Sequence, residues 1–290
     1  MAELTGVYDF TKDNFRVSAD MKKNFEDDGY ILVREFFNDK EMTNLRKVFE
    51  ESDLVDKHGL KVGDGSGKKT KIALWTHPGS DVSGMMARCD KIVNTCEELL
   101  GEEVYHYHGK LLYKDAFTGG AHLWHQDYGY WYRNTCLFPN MMTVFIAIDK
   151  CARTNGCLQI LPGSQKCGRI DHVMVSGQMT ATAERVEAVK NVCPLAYVEM
   201  EPGDALFFHC NLLHCSSAND SPDRRWAYLI AYNTKANNPV VPHHHAQYTP
   251  IQRVPNSAVE ECTNYTDFTD KEFLTGHESK LTSKFDKSET

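Results

Sequence analysis

The sequence has no apolar run long enough to span a bilayer, and its opening stretch, MAELTGVYDFTKDNF, has neither the basic nor the apolar segment of a secretory leader. We therefore expect a cytoplasmic chain with no membrane partner. A dense basic stripe is also missing: apart from Lys68-Lys69-x-Lys71, read as a solvated loop, the cations are scattered, and the net charge is −8. That argues against a nucleic-acid partner, because phosphates need a concentrated basic patch. The chain has 10 cysteines but no CxxC, which argues against a structural zinc site, and thiols scattered through a chain without a leader are expected to stay reduced. There is no HExxH, so a zinc hydrolase of that kind is disfavoured. No internal repeat is apparent, and nothing fixes the oligomeric state.

What is present has ordinary globular composition, 41% hydrophobic and 25% charged over 290 residues, and we read one domain, 1–290. Its first part, about 19–101, is helical. Ala19 to Asp28 reads as a helix closed by Gly29, and Asn38-Asp39 caps a helix through Met42, Leu45, Val48 and Phe49. Val82 to Leu100 reads as one further helix ending at Gly101. Between them, Gly59 to Lys71 has no periodicity and is expected to be a surface loop, with a lid as the alternative. From about 103 to 235 the texture changes to short strands, interrupted by a helix at Ala183 to Val192. That pattern suits a mainly β sandwich or barrel with flanking helices. The tail, about 248–290, is expected to fray, above all beyond Asp270.

The chemistry concentrates in Leu123-Trp124-His125-Gln126-Asp127-Tyr128-Gly129-Tyr130-Trp131. On an extended strand His125 and Asp127 project from one face, so both reach one ion. His214, after the strand-like Ala205 to Cys210, is the best third ligand. Two histidines and one carboxylate with the opposite face open suit non-haem Fe(II), which must bind a cosubstrate and O2 together. Arg225, eleven positions after His214, offers a planar fork for a carboxylate. His106 and His108 alternate with Tyr105 and Tyr107 and read as pocket or core residues. His243-His244-His245 reads as a polar turn after Pro242, since adjacent side chains diverge.

His125-x-Asp127, His214 and Arg225, with the phrases WHQDYGYWYRNTCLFP, NGCLQILPGSQKCGRIDH and MEPGDALFFHCNLLH, resemble the phytanoyl-CoA dioxygenase superfamily. Within it they are most similar to the free L-proline trans-4-hydroxylases and more distantly to ectoine hydroxylases. The resemblance covers about Phe25 to Val254. It implies a double-stranded β-helix (jelly-roll, cupin-like) core, Fe(II), 2-oxoglutarate as cosubstrate, and hydroxylation of an unactivated C–H bond with release of succinate and CO2. Lys114 stands at the family's spacing for a lysine that contacts the cosubstrate, eleven positions before His125. Ser216 offers a further hydroxyl contact. An intact Asp127 favours hydroxylation over halogenation, because related halogenases carry a small residue there.

For the prime substrate, a small free molecule, Trp131 offers an aromatic face to a secondary ammonium by cation–π attraction. Tyr130 and His108 are further pocket candidates. Arg169 and His172 either hold a substrate carboxylate or are ordinary surface residues. The same chemistry on an ectoine-like compound or an acyl-CoA, or a metal-binding barrel without turnover, remain as alternatives.

Overall fold

A computed structural model describes residues 2–11 and 15–274. In chain order the elements are β1 (Val7–Asp9), α1 (Ala19–Asp28), β2 (Tyr30–Arg34), α2 (Asp39–Glu50), α3 (Leu54–His58), β3 (Leu60–Gly63), β4 (Lys69–Trp75), α4 (Val82–Arg88) and α5 (Asp90–Leu100). Next come β5 (Val104–Lys114), β6 (His122–His125), α6 (Asp127–Trp131), β7 (Met141–Ala147), β8 (Leu158–Ile160), β9 (His172–Val175), β10 (Gln178–Ala181) and α7 (Ala183–Lys190). The chain continues through β11 (Ala196–Val198), β12 (Ala205–His209), β13 (His214–Ser216), β14 (Arg225–Thr234) and α8 (Ala258–Glu261).

An eight-stranded sheet runs β1-β2-β12-β7-β14-β5-β4-β3 and a four-stranded sheet runs β11-β8-β13-β6. They pack face to face as a jelly-roll, a double-stranded β-helix. Strand alternation sorts the side chains of the large sheet. Its outer face carries Ile31, Phe207, Ile146 and Tyr228 against Met42, Val48, Met86 and Ile92 of the helices. Its inner face carries Leu32, Phe208, Phe145 and Leu229 against Ile160 and Val198 of the small sheet. None of the helices among the described residues is long and apolar enough to cross a membrane.

Three local expectations change. The expected loop Gly59 to Lys71 holds the antiparallel pair β3–β4, which extends the large sheet through β5. Its strands are short, and the turn takes Gly65 at φ 85° and Gly67 at φ 101°, so the pairing with β5, invisible locally, makes it a hairpin. The single helix Val82 to Leu100 is two helices, because Cys89 is extended at φ −68°, ψ 147° and caps α5. It bridges to Val254 of the returning chain. That return is the third change: up to Leu274 the tail is docked, with Leu274 N donating to Leu74 O at 2.9 Å and Phe273 bridging Trp75. The expectation of fraying beyond Leu274 lies outside the described residues.

Candidate metal centre

His125 ends β6 and stands opposite His214 on β13. Asp127 is not on that strand: the chain leaves extended geometry at Gln126, and Asp127 opens the one-turn helix α6. The two side chains converge nonetheless, through a strand end and a helix start rather than a shared strand face. Ligand atoms of His125, Asp127 and His214 all lie within 4.8 Å of one another, and all three residues are buried. Asp127 Oδ1 is 3.6 Å from His125 Nε2 and 3.9 Å from His214 Nε2.

Backbone contacts set the tautomers. His125 Nδ1 is 2.8 Å from Leu123 O and His214 Nδ1 is 2.9 Å from Leu212 O. A carbonyl only accepts, so each Nδ1 carries the proton and each Nε2 keeps its lone pair for an ion. Thr143 Oγ1 donates to Asp127 Oδ2 at 2.6 Å, leaving Oδ1 facing the histidines. Burial opposes ionisation of Asp127, but the adjacent His125 and His214 imidazoles and Lys110 outweigh it and hold the carboxyl well below its ordinary range. Burial also lowers His214 to about 3, which keeps the ring a neutral ligand.

The residue between the two ligands is anchored on every side. Gln126 donates through Nε2 to Gly168 O and Asn211 O, both at 2.8 Å, and accepts from Ile170 N at 2.7 Å. Its own N–H donates to His172 Nε2 at 2.9 Å, while His172 Nδ1 donates to Ile170 O at 2.7 Å. Gly129 of α6 lies flat on that imidazole, where a Cβ would come within 2.4 Å. His172 is thus buried in the scaffold of the triad with both nitrogens used. Arg169, in contrast, is part-exposed, ion-paired with Asp171 at 3.0 Å and stacked on Tyr132. It lines a surface groove of about 560 Å³ that contains none of the triad residues.

On the inner face of the large sheet, Arg225 begins β14 directly opposite Lys114, the last residue of β5. Arg225 is 1% exposed. Its Nη2 donates to Gly156 O at 3.0 Å, whereas Nε and Nη1 have no partner among the described residues. The Lys114 ammonium donates to the carbonyls of Ser216 and Ser217. Burial, then the neighbouring Arg225 charge, push Lys114 well below the ordinary lysine range. Two buried basic groups thus stand side by side with no acid paired to either among the described residues, an arrangement that is costly to leave without an anion. Ser216 is buried next to them on β13.

Sequence reasoning passed over two residues here. Lys110 lies on the same face of β5 as Lys114, four residues away, and its side chain has no hydrogen bond or ion pair among the described residues; the spacing was readable. His122 was not readable, because it turns toward the ligands through a register shift between β13 and β6. Its ring lies 4.5 Å from that of His125, with Nδ1 unpartnered.

Trp131 is 4% exposed and packs edge-on to Tyr107 and His108, each at 5.7 Å between ring centroids. The Tyr130 hydroxyl is taken up by Met179, donating to its O and accepting from its N, both at 3.1 Å. His106 turns to the opposite side of β5, with Nδ1 at 3.1 Å from Thr76 O.

Against known proteins, the family model described as Phytanoyl-CoA dioxygenase (PhyH) matches residues 25–227. The L-proline trans-4-hydroxylase of Streptomyces griseoviridis is 26% identical over 239 residues, covering 77% of this chain and 89% of that one. An ectoine dioxygenase of Streptomyces avermitilis is 27% identical over 243 residues, covering 78% and 81%. Among solved structures, EctD from S. alaskensis with bound Fe superposes with a TM-score of 0.69 at 23% identity, over 85% of this chain and 90% of that one. The same enzyme with 2-oxoglutarate and 5-hydroxyectoine gives 0.66 at 23% identity, over 87% and 89%. With a two-histidine, one-carboxylate cluster at its centre, the chain belongs to the phytanoyl-CoA dioxygenase (PhyH) family and is a dioxygenase of the iron- and 2-oxoglutarate-dependent class.

Proposed function

We propose that this chain hydroxylates an unactivated C–H bond of a small free amino acid, with L-proline as the first substrate to test. The observation that carries the reading is the buried Arg225 fork, whose Nε and Nη1 lack partners among the described residues, on the inner face of the jelly-roll that also holds the triad. A guanidinium left unsatisfied costs several kcal/mol in a closed fold, roughly 3–5 for a broken buried pair. A dicarboxylic cosubstrate removes that cost.

Ferrous iron held by His125, Asp127 and His214, with 2-oxoglutarate and O2, would supply the oxidising power, with succinate and CO2 as co-products. The chain's own residues do the rest. His125 and His214 present Nε2, and Thr143 fixes the free oxygen of Asp127. Arg225, flanked by Lys114 and Ser216, orients the far carboxylate of the cosubstrate. Trp131, with Tyr130 and His108, walls the space for the prime substrate and keeps water out. Arg169 and His172 have no part in this reading, one being at the surface and the other in the triad's scaffold.

The test is anaerobic reconstitution with Fe(II), then exposure to O2 and 2-oxoglutarate with a panel of free amino acids, ectoine and an acyl-CoA, read by mass spectrometry. One amino acid gaining a single oxygen, with matching succinate, is the expected result. Oxygen transfer to ectoine or the acyl-CoA alone would overturn the substrate class while keeping the chemistry.

A further inference from the structure

The segment after β14 returns across the barrel and brings His245 against the strand that carries Tyr107 and His108. In the pairing of β14 with β5, Ala231 stands opposite His108 and Tyr232 opposite His106, so Tyr107 has no opposite residue. This bulge puts both Tyr107 and His108 on the inner side and turns His106 outward. His245 closes over them: its ring stacks on Tyr107 at 4.8 Å and lies 5.3 Å from His108, which in turn meets Trp131 at 5.7 Å. His108 is 6% exposed, and both His108 Nδ1 and His245 Nδ1 are shielded from solvent without a partner among the described residues.

Two shielded imidazole nitrogens without partners, beside an indole, are an incomplete hydrogen-bonding set. Among the described residues, Asp127 is the only acid on the inner faces of these strands and helix α6, and it faces the histidine ligands. An ammonium brought against these rings therefore has no carboxylate there to meet. Resting on the amino-acid reading above, we infer that His108 and His245 form the head-group site of the prime substrate, accepting hydrogen bonds from its N–H groups while Trp131 covers its charge. The pocket is then selective for primary or secondary amines and rejects quaternary ammonium analogues, which have a charge but no N–H. Burial keeps both rings neutral, His108 lowered to about 3 and His245 also well below the ordinary value, so each retains a lone pair to accept with.

The experiment measures anaerobic binding of L-proline and of its N,N-dimethyl betaine to the Fe(II)- and 2-oxoglutarate-loaded protein by calorimetry, without turnover. Wild type, His108→Phe and His245→Phe are compared; phenylalanine keeps the ring packing and removes only the nitrogens. The expected result is at least a tenfold preference for L-proline in wild type, lost in either variant, with 2-oxoglutarate affinity and melting temperature unchanged. His245→Asn, which keeps a polar acceptor, retains part of the preference. An unchanged preference in both phenylalanine variants overturns the inference while leaving amino-acid hydroxylation standing. If wild type oxidises only ectoine or the acyl-CoA, the parent reading has failed and this site falls with it.

Discussion

On the outer face of the large sheet, buried lysines have acids. Lys91 meets Glu41 at 2.6 Å and Lys271 meets Asp81 at 2.8 Å, the second pair fully buried with Trp75 covering the ammonium at 4.4 Å. On the inner face, Arg225, Lys114 and Lys110 have none among the described residues. The same sheet thus buries cations in two ways, and only one of them is complete without a ligand. Paired charges on the outer side fasten α5 to α2 and the returning tail to the start of α4. Those on the inner side have no acid among the described residues, and they stand on the side where His125, Asp127 and His214 converge.

The largest effect that separates the two faces is on turnover. Changing His125, Asp127 or His214 singly to Ala should reduce coupled turnover to background, because each removes one of three ligand atoms. Thermal unfolding of the metal-free protein should change little, since strand pairing and α6 hold these positions without the ion. Full activity in any one variant removes that residue from the triad.

Opposite signs are expected for stability. Lys271→Met strands Asp81 in the interior and should destabilise the fold by ~3–5 kcal/mol in urea unfolding, with 2-oxoglutarate affinity intact. Arg225→Met removes a charge that has no partner, and should leave the ligand-free fold as stable or more stable while abolishing 2-oxoglutarate binding. Arg225→Lys keeps the charge but loses the fork, so the apparent affinity for 2-oxoglutarate should fall more than that for the prime substrate. Destabilisation by Arg225→Met equal to that by Lys271→Met would remove the distinction between the faces.

The legibility of the sequence follows the same division. The convergence of His125, Asp127 and His214 was legible because two histidines and one carboxylate at that spacing are a rare pattern. α1, α2 and the strands of the sandwich could be read because local periodicity and capping residues carry them. What could not be read depends on distant chain: β3–β4 needs β5 as a template, and the break at Cys89 needs Val254. The turn into α6 after His125 is fixed by Gln126, which bonds to Gly168, Ile170 and Asn211. For the same reason His172 read as a surface or substrate residue, although its contacts are with the backbone that holds the ligands apart.

A smaller effect tests the support behind the ligands. Thr143→Val keeps the shape on the inner face but removes the hydrogen bond to Asp127 Oδ2. The free carboxylate oxygen can then rotate, and Fe(II) affinity should fall by about tenfold, the low end for loss of a supporting hydrogen bond. Competition with a chromogenic chelator under anaerobic conditions measures it. Equal affinity in the two proteins means that α6 alone fixes the carboxylate.

A further effect of similar size concerns Trp131. Its ring meets Tyr107 and His108 rather than the triad, so Trp131→Ala should leave iron and 2-oxoglutarate binding nearly unchanged. Substrate binding should weaken by ~1–2 kcal/mol through lost aromatic and cation–π contact. Positioning suffers with affinity: when no C–H bond is held close, cosubstrate is consumed without matching hydroxylation. Succinate should therefore exceed hydroxylated product in the variant, while the two match in wild type with L-proline. The ratio is informative because it does not depend on how much enzyme is loaded with iron. If both the ratio and the substrate's apparent affinity are unchanged, Trp131 only packs beneath His108, and the contacts that position the substrate must come from the rest of the inner wall, with Lys110 and His122 the first to test.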